Sequence, residues 1–404
     1  MAKRQYFVVV PIAFALFTFI SCDHATEPDS LIRYNYRVPE QTNDGWSTLS
    51  LADVGMDTQP VVDLMNELLN RETHHVHSIV IVKDGNLVFE EYFSGFDLVL
   101  NDSVLTQIAN GGDINFTQID FNREALHFQA SVTKSITSVL FGIAIDKGFI
   151  QGIDEKMFSV FPEYSQINNG SKDGVTFGHM LTMSTGIPWN EDYPYNDSRN
   201  SLTSMLMADD PIEYVLELPL VAPPGNTFIY NSGTTNLLGE IVRRKSDFNL
   251  YEFARTYLFT PLGITSYQWI DLPNADGMVF ASSGLYLRSR DMAKIGQLVL
   301  QEGMWSGSRI VSEEWVTEST RESMTLSVSN PLSDFATGYG YQWWIGTFTP
   351  GNSNGYIAAG WGGQYIIVLP EFEMVVVITQ GDYHWEHPLI LYDIMINHIL
   401  PAVQ

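Results

Sequence analysis

The stretch Gln129-Ala-Ser-Val-Thr-Lys-Ser-Ile-Thr-Ser-Val-Leu-Phe-Gly-Ile-Ala-Ile-Asp-Lys-Gly148 organises the chain. Val132, Ile136, Val139, Leu140, Ile143 and Ala144 recur at three- and four-residue intervals, and Gly148 follows where a C-terminal cap would sit. The pattern predicts an amphipathic helix. Ser131 falls at its first turn with Lys134 three residues on, so hydroxyl and amine project from one side. A serine hydroxyl attacks well only when a neighbouring base takes its proton, and an amine serves as that base only when it is unprotonated. Lys134 must therefore be desolvated, with the helix dipole and burial depressing its pKa. Ser-x-x-Lys also arises by chance, so the spacing alone does not decide the chemistry.

Outward from this helix, the N-terminus reads as a leader. Lys3 and Arg4 precede an apolar run from Tyr6 to Ile20, shorter than the roughly 20 residues that span a bilayer, which fits a secretory signal over 1–22. Phe19-Ile20-Ser21-Cys22 resembles a bacterial lipoprotein processing site, which implies a diacylglycerol on Cys22 as a membrane anchor; the alternative is a free cysteine beside an ordinary cleavage site. Cys22 is the single cysteine of 404 residues, so no intramolecular disulfide forms and stability must come from the core. Residues 23–50 are polar and aperiodic and read as a tether. Net charge is −26, from 47 acidic and 21 basic residues, which argues against nucleic acid and against electrostatic docking on anionic lipid. The expected membrane contact is the lipid anchor alone.

Residues 51–404 form the expected folded domain. A helix is predicted from Thr58, and Ser78–Val82 and Leu87–Tyr92 read as a hairpin through Lys83-Asp84-Gly85-Asn86. The pattern is then helical and loop-rich to about Ile270, including Asp209–Leu216 and Thr235–Arg244. Strand signal returns at Gly340–Ile345, Gly355–Ala358, Gln364–Val368 and Met374–Thr379, before a final helix near Pro388–Ile399. The predicted class is α+β: an antiparallel sheet assembled from both chain ends, flanked by helices, with an inserted helical lobe over about 150–275.

Four motifs in order carry a family resemblance: Gln129–Ser138, His179–Ile187, Tyr230-Asn231-Ser232-Gly233 and Gly360-Trp361-Gly362-Gly363-Gln364. With them the chain resembles the serine beta-lactamase-related hydrolases, which include class C beta-lactamases, DD-peptidases, the esterases similar to them and 6-aminohexanoate-dimer hydrolase. The resemblance implies a beta-lactamase/transpeptidase-like fold, with Ser131 as acylated nucleophile, Lys134 and Tyr230 as base and proton shuttle, and the amides of Ser131 and Gln364 as oxyanion hole. One of Lys134 and Tyr230 is the base and the other tunes it. Ser232 stands where class C lactamases have asparagine, and could bond the leaving group or Lys134. Trp361, Gly362 and Gly363 occupy the place of a Lys-Thr-Gly or His-x-Gly triplet. Trp361 brings no positive charge to bind a substrate carboxylate, so an ester or amide with a neutral or apolar acyl group is expected. Beta-lactam or D-alanyl-D-alanine hydrolysis is the alternative, and a catalytically silent surface binding protein is the alternative from another class. Trp189, in the loop Trp189–Tyr195, is a further candidate for substrate contact, and the segment 97–128 is expected to cover one edge of the site.

Other chemistries are less well supported. His74, His75 and His77, and likewise His384, Glu386 and His387, lack catalytic zinc spacing and read as surface histidines. No metal or cofactor is expected.

Overall fold

Strand signals from the two ends of the sequence meet in one sheet. The computed structural model describes residues 31–168, 170–327, 332, 335–348, 353–383 and 390–403. Across the nine-stranded sheet the order is Ser47–Thr48, Asn86–Tyr92, Val76–Lys83, Met374–Gln380, Gln364–Leu369, Ser353–Gly360, Trp344–Phe348, Ala336–Tyr339 and Met324–Thr325. Every pairing is antiparallel except that of the Ser47–Thr48 edge strand. The predicted hairpin closes the N-terminal part, with Lys83 opposite Asn86, and its Val76–Lys83 arm pairs with Met374–Gln380, Val80 lying opposite Val377.

Alternation along the strands divides the core in two, as the two-residue side-chain period requires. Val80, Val82, Ile366, Val375 and Val377 face the helical side. Ile79, Ile81, Ile367, Val376 and Ile378 face the other, where helix Thr58–Asn70 and the C-terminal helical turns Ile390–Tyr392, Asp393–Ile399 and Leu400–Ala402 cover them. Helix Thr58–Asn70 starts where expected, because Asp57 caps it by accepting from the Gln59 amide.

The helix that carries Ser131 and Lys134 spans Val132–Asp146, and every residue from Val132 to Ala144 is buried. It is therefore buried on every side, not only on the apolar face that its periodicity predicts. Its hydroxyl residues Thr133, Ser135, Thr137 and Ser138 all face protein: Ser135 Oγ donates to Gln342 O at 2.6 Å and Thr137 Oγ1 to Ala281 O at 2.7 Å, while the Thr133 and Ser138 hydroxyls have no partner among the described residues. Small hydroxyl side chains satisfied by backbone carbonyls let a helix lie sandwiched between the sheet and the helical lobe.

Three further expectations change. Part of the 23–50 tether packs on the domain, because its aromatics find apolar cover: Trp46 is buried with Nε1 donating to Arg290 O at 3.2 Å, and Tyr36 stacks on Phe89 and donates to Val88 O. Gly340–Ile345 is not one strand. The chain turns between Ala336–Tyr339 and Trp344–Phe348, where Gln342 has φ +65° and is locked by Nε2 bonds to Met180 O and Leu181 O. His77 is not at the surface: it is buried, 2.8 Å from His127. The leader with Cys22, and His384, Glu386 and His387, lie outside the described residues. Among the described residues no helix is long and apolar enough to cross a membrane.

Candidate active site

Ser131 sits at the N-terminal cap of its helix, immediately after Ala130, whose φ is +44°. A non-glycine residue in the left-handed region costs about 1–3 kcal/mol and marks a backbone over-determined by its surroundings. The surroundings are visible here. The last residue of strand Ser353–Gly360 lies against the Gln129–Ser131 backbone, so the sheet edge and the nucleophile's turn are in contact.

Lys134 Nζ lies 2.8 Å from Ser131 Oγ and 3.0 Å from Ser282 O. The side chain is fully buried, and this desolvation pushes its pKa down to about 8, against an opposing pull from the Glu191 carboxylate. With one proton of the neutral amine given to Ser282 O, the lone pair is left for the Ser131 hydroxyl. Tyr230 completes the group. Its hydroxyl bonds Ser131, its ring centroid is 4.9 Å from Lys134 Nζ, and the ring stacks on Trp344 at 5.7 Å. Burial raises the Tyr230 pKa far above the roughly 10 of a free phenol, the Glu191 charge adds to this, and the bond to Ser131 opposes it. The two opposite shifts favour a neutral amine at Lys134 and a neutral phenol at Tyr230.

The motif 179–187 explains how Tyr230 reaches this place. Backbone bonds from Ile229 N to Met183 O at 2.8 Å, Gly225 N to Ser184 O at 2.7 Å and Val221 N to Gly186 O at 2.9 Å zip the loop before Tyr230 onto the motif. Asn231 then caps helix Ser232–Ser246 by accepting from the Thr234 amide. Ser232 lines the site, but its buried Oγ has no hydrogen-bond partner among the described residues and does not bond Lys134. Ser282, which no motif singles out, is held in turn by its amide's bond to Asn236 Oδ1 at 2.9 Å.

The other expected residues take distinct places. Trp361 lines the cavity, with its ring 4.7 Å from Tyr195 and its Nε1 donating to Tyr383 O at 3.0 Å. Gly362 and Gly363, at φ +85° and +89°, form the reversal into strand Gln364–Leu369 and pack on Tyr383 and Gln380 rather than lining the cavity. Left-handed backbone is what glycine supplies at that reversal. Gln364 pairs with Gly360 in the ladder, and its side-chain amide is bound to the Gln380 backbone. Trp189 does not line the cavity either. It is buried over Gly233, and its Nε1 donates to Glu191 Oε1 at 2.5 Å.

Behind Trp361 lies a network that the sequence did not suggest. The Tyr383 hydroxyl donates to Asp97, whose other oxygen is 3.4 Å from the Phe128 amide and 3.7 Å from His127 Nε2. His127 is also 3.0 Å from Phe128 O through Nδ1. Burial, reinforced by His127, holds the His77 pKa down to about 2. His77 is therefore neutral, and it bonds His127 in a chain toward the strand that leads into Ser131.

The cavity itself is mostly apolar. Segment 97–128 supplies much of its wall through Leu98, Leu100, Leu105, Ile108 and Ile114. Helix Asp102–Ala109 places Leu105 and Ile108 three residues apart on one face, and the Tyr286 hydroxyl clips the approach by donating to Leu98 O and accepting from the Leu100 amide. A nucleophile, a base of lowered pKa and a phenol thus meet at one end of an apolar cavity, an arrangement suited to acyl transfer.

Comparison with known proteins places the chain in a family. Residues 64–390 match the beta-lactamase family. A 6-aminohexanoate-dimer hydrolase of Paenarthrobacter ureafaciens is 30% identical over 265 residues, which cover 62% of this chain and 65% of that protein. Among solved structures, a putative 6-aminohexanoate-dimer hydrolase from Bacillus anthracis superposes with a TM-score of 0.61 at 19% identity, covering 90% of this chain and 88% of the other. A family VIII carboxylesterase superposes with a TM-score of 0.58 at 14% identity, covering 86% and 94%. With the match extending over most of the folded residues, the chain belongs to the beta-lactamase family of serine hydrolases.

Proposed function

We propose that the protein is an exported serine hydrolase that acts through an acyl-enzyme on a carboxylic ester or small amide with an uncharged, apolar acyl group. The observation that carries this reading is Lys134 Nζ at 2.8 Å from Ser131 Oγ, its pKa lowered to about 8, beside a cavity walled by aliphatic side chains. Ser131 Oγ bonds the carbonyl carbon as its proton passes to Lys134. The scissile C–O or C–N bond then breaks, and the leaving group takes a proton from Tyr230, which is resupplied from Lys134. Water, deprotonated by the same pair, cleaves the ester to Ser131. The amides of Ser131 and Gln364 hold the oxyanion, and each such donor contributes about 3 kcal/mol of transition-state stabilisation. Export and a diacylglycerol on Cys22 rest on the sequence of residues 1–22.

Release of p-nitrophenol from a short-chain ester, compared with Ser131→Ala, tests the reading. Turnover that disappears in the variant supports it. Equal rates in both proteins, or none in either, overturn it in favour of D-alanyl peptide hydrolysis or of binding without turnover.

A further inference from the structure

One charged side chain stands among the residues lining the cavity, Glu191. Its oxygens are unequally occupied. Oε1 accepts from Trp189 Nε1 at 2.5 Å and from the Ser232 amide at 3.3 Å, while Oε2 meets the Tyr195 hydroxyl at 3.5 Å. Two of these donors sit on rigid supports: Trp189 is buried, and Ser232 is the first residue of a long helix. The carboxylate is thus held in one orientation, and Oε2 is the less occupied of its two oxygens.

Among the described residues no cationic side chain lines that space. Lys134 lies behind Ser131, with its amine committed to Ser131 and Ser282. An anionic group entering the cavity would lose its hydration among leucines and meet a fixed like charge, and both terms oppose its binding. An uncharged acyl chain meets neither.

We propose that Glu191 is a specificity-determining residue that excludes carboxylate-bearing acyl groups from the cavity, so that the substrate's acyl part is a neutral aliphatic chain. This rests on the acyl-enzyme reading above. It goes beyond the missing charge at Trp361, because Glu191 rejects an anion actively.

The test compares two esters of equal chain length, p-nitrophenyl hexanoate and the p-nitrophenyl monoester of adipic acid, with the full chain and its Glu191→Gln variant. Wild type is expected to favour the neutral ester in kcat/KM by about a hundredfold, and Glu191→Gln to shrink that ratio at least roughly tenfold by raising the anionic ester. Any change in Lys134 basicity acts on both esters and cancels in the ratio. Glu191→Ala repeats the test should the amide variant fold poorly. An unchanged ratio in the variants, or a wild type indifferent to the charge, overturns the proposal. If wild type hydrolyses neither ester, the acyl-enzyme reading fails by itself. The filter is then read from binding, as the ratio of Kd for hexanamide and adipamate in wild type and variant, and equal ratios overturn it.

Discussion

A methyl group on Gly360 would stand 3.0 Å from the amide nitrogen of Ser131, and 2.4 Å from the carbonyl oxygen of Gln129. Strand and nucleophile are in backbone contact, with no space for a side chain between them. Gly360→Ala should therefore push the sheet edge off the turn whose Ala130 already sits at positive φ. The expected result is a loss of about 1–3 kcal/mol in urea unfolding, with kcat falling at least tenfold as the oxyanion amides move apart.

Activity should depend on the proton of Lys134. A buried lysine with pKa about 8 is mostly protonated at neutral pH and cannot accept from Ser131. The kcat/KM for a neutral ester should rise with pH, about tenfold per unit, up to a midpoint near 8. Since Glu191 favours the charged amine, Glu191→Gln should move that midpoint to lower pH. A profile flat from pH 6 to 9 would contradict the assignment of Lys134 as base.

Replacing the base should separate stability from function. Lys134→Met removes a buried amine whose lowered pKa records an unfavourable charged form, and methionine fills similar volume. Thermal unfolding at pH 7 should show a gain of about 1–2 kcal/mol, with ester hydrolysis lost. Tyr230→Phe keeps the Trp344 stack and removes the proton donor, so kcat should fall about 10²–10⁴-fold with little change in stability.

The aliphatic wall sets chain length. Leu105 and Ile108 line the cavity from one face of helix Asp102–Ala109. Leu105→Trp should shift the preferred p-nitrophenyl ester to shorter acyl chains, seen as a rise in KM for hexanoate with acetate unaffected. An unchanged chain-length profile would place the acyl group elsewhere.

The bond from Tyr383 to Asp97 is buried and supports the Trp361 segment. Tyr383→Phe leaves an Asp97 oxygen without that donor, and should cost about 1–3 kcal/mol of stability. Chemical denaturation measures it directly.

Ser131, Lys134 and Tyr230 were legible because each sits in a short motif whose spacing has a chemical meaning. The hairpin and the paired chain ends were legible from alternation and turn residues. Ser282 was not, since its carbonyl meets Lys134 across 148 positions of sequence, and Ala-Ser-Ser-Gly at 281–284 reads as any turn. Glu191 carries no signal of its own in sequence, and its partners Trp189 and the Ser232 amide are visible only in the fold. Trp189, expected at the substrate, serves that carboxylate instead. Ser135 and Thr137 of the Ser131 helix imitate solvent-facing positions, because hydroxyls bonded to carbonyls and hydroxyls bonded to water leave the same pattern in sequence. His127, Asp97 and Tyr383 come from three separate regions, and only the closed sheet makes them neighbours.

Strand Val76–Lys83, near the start of the domain, pairs on one side with Met374–Gln380, near its end. During synthesis the early hairpin must wait with that edge unpaired until almost all 404 residues have been made. The sheet cannot close on a nascent chain, and such distant pairings are intrinsically slow to form. A long-lived open state is a hazard in a crowded cell, but it is also the form in which a polypeptide can be threaded through a narrow secretion channel. The topology postpones closure of the sheet until its last strands are available.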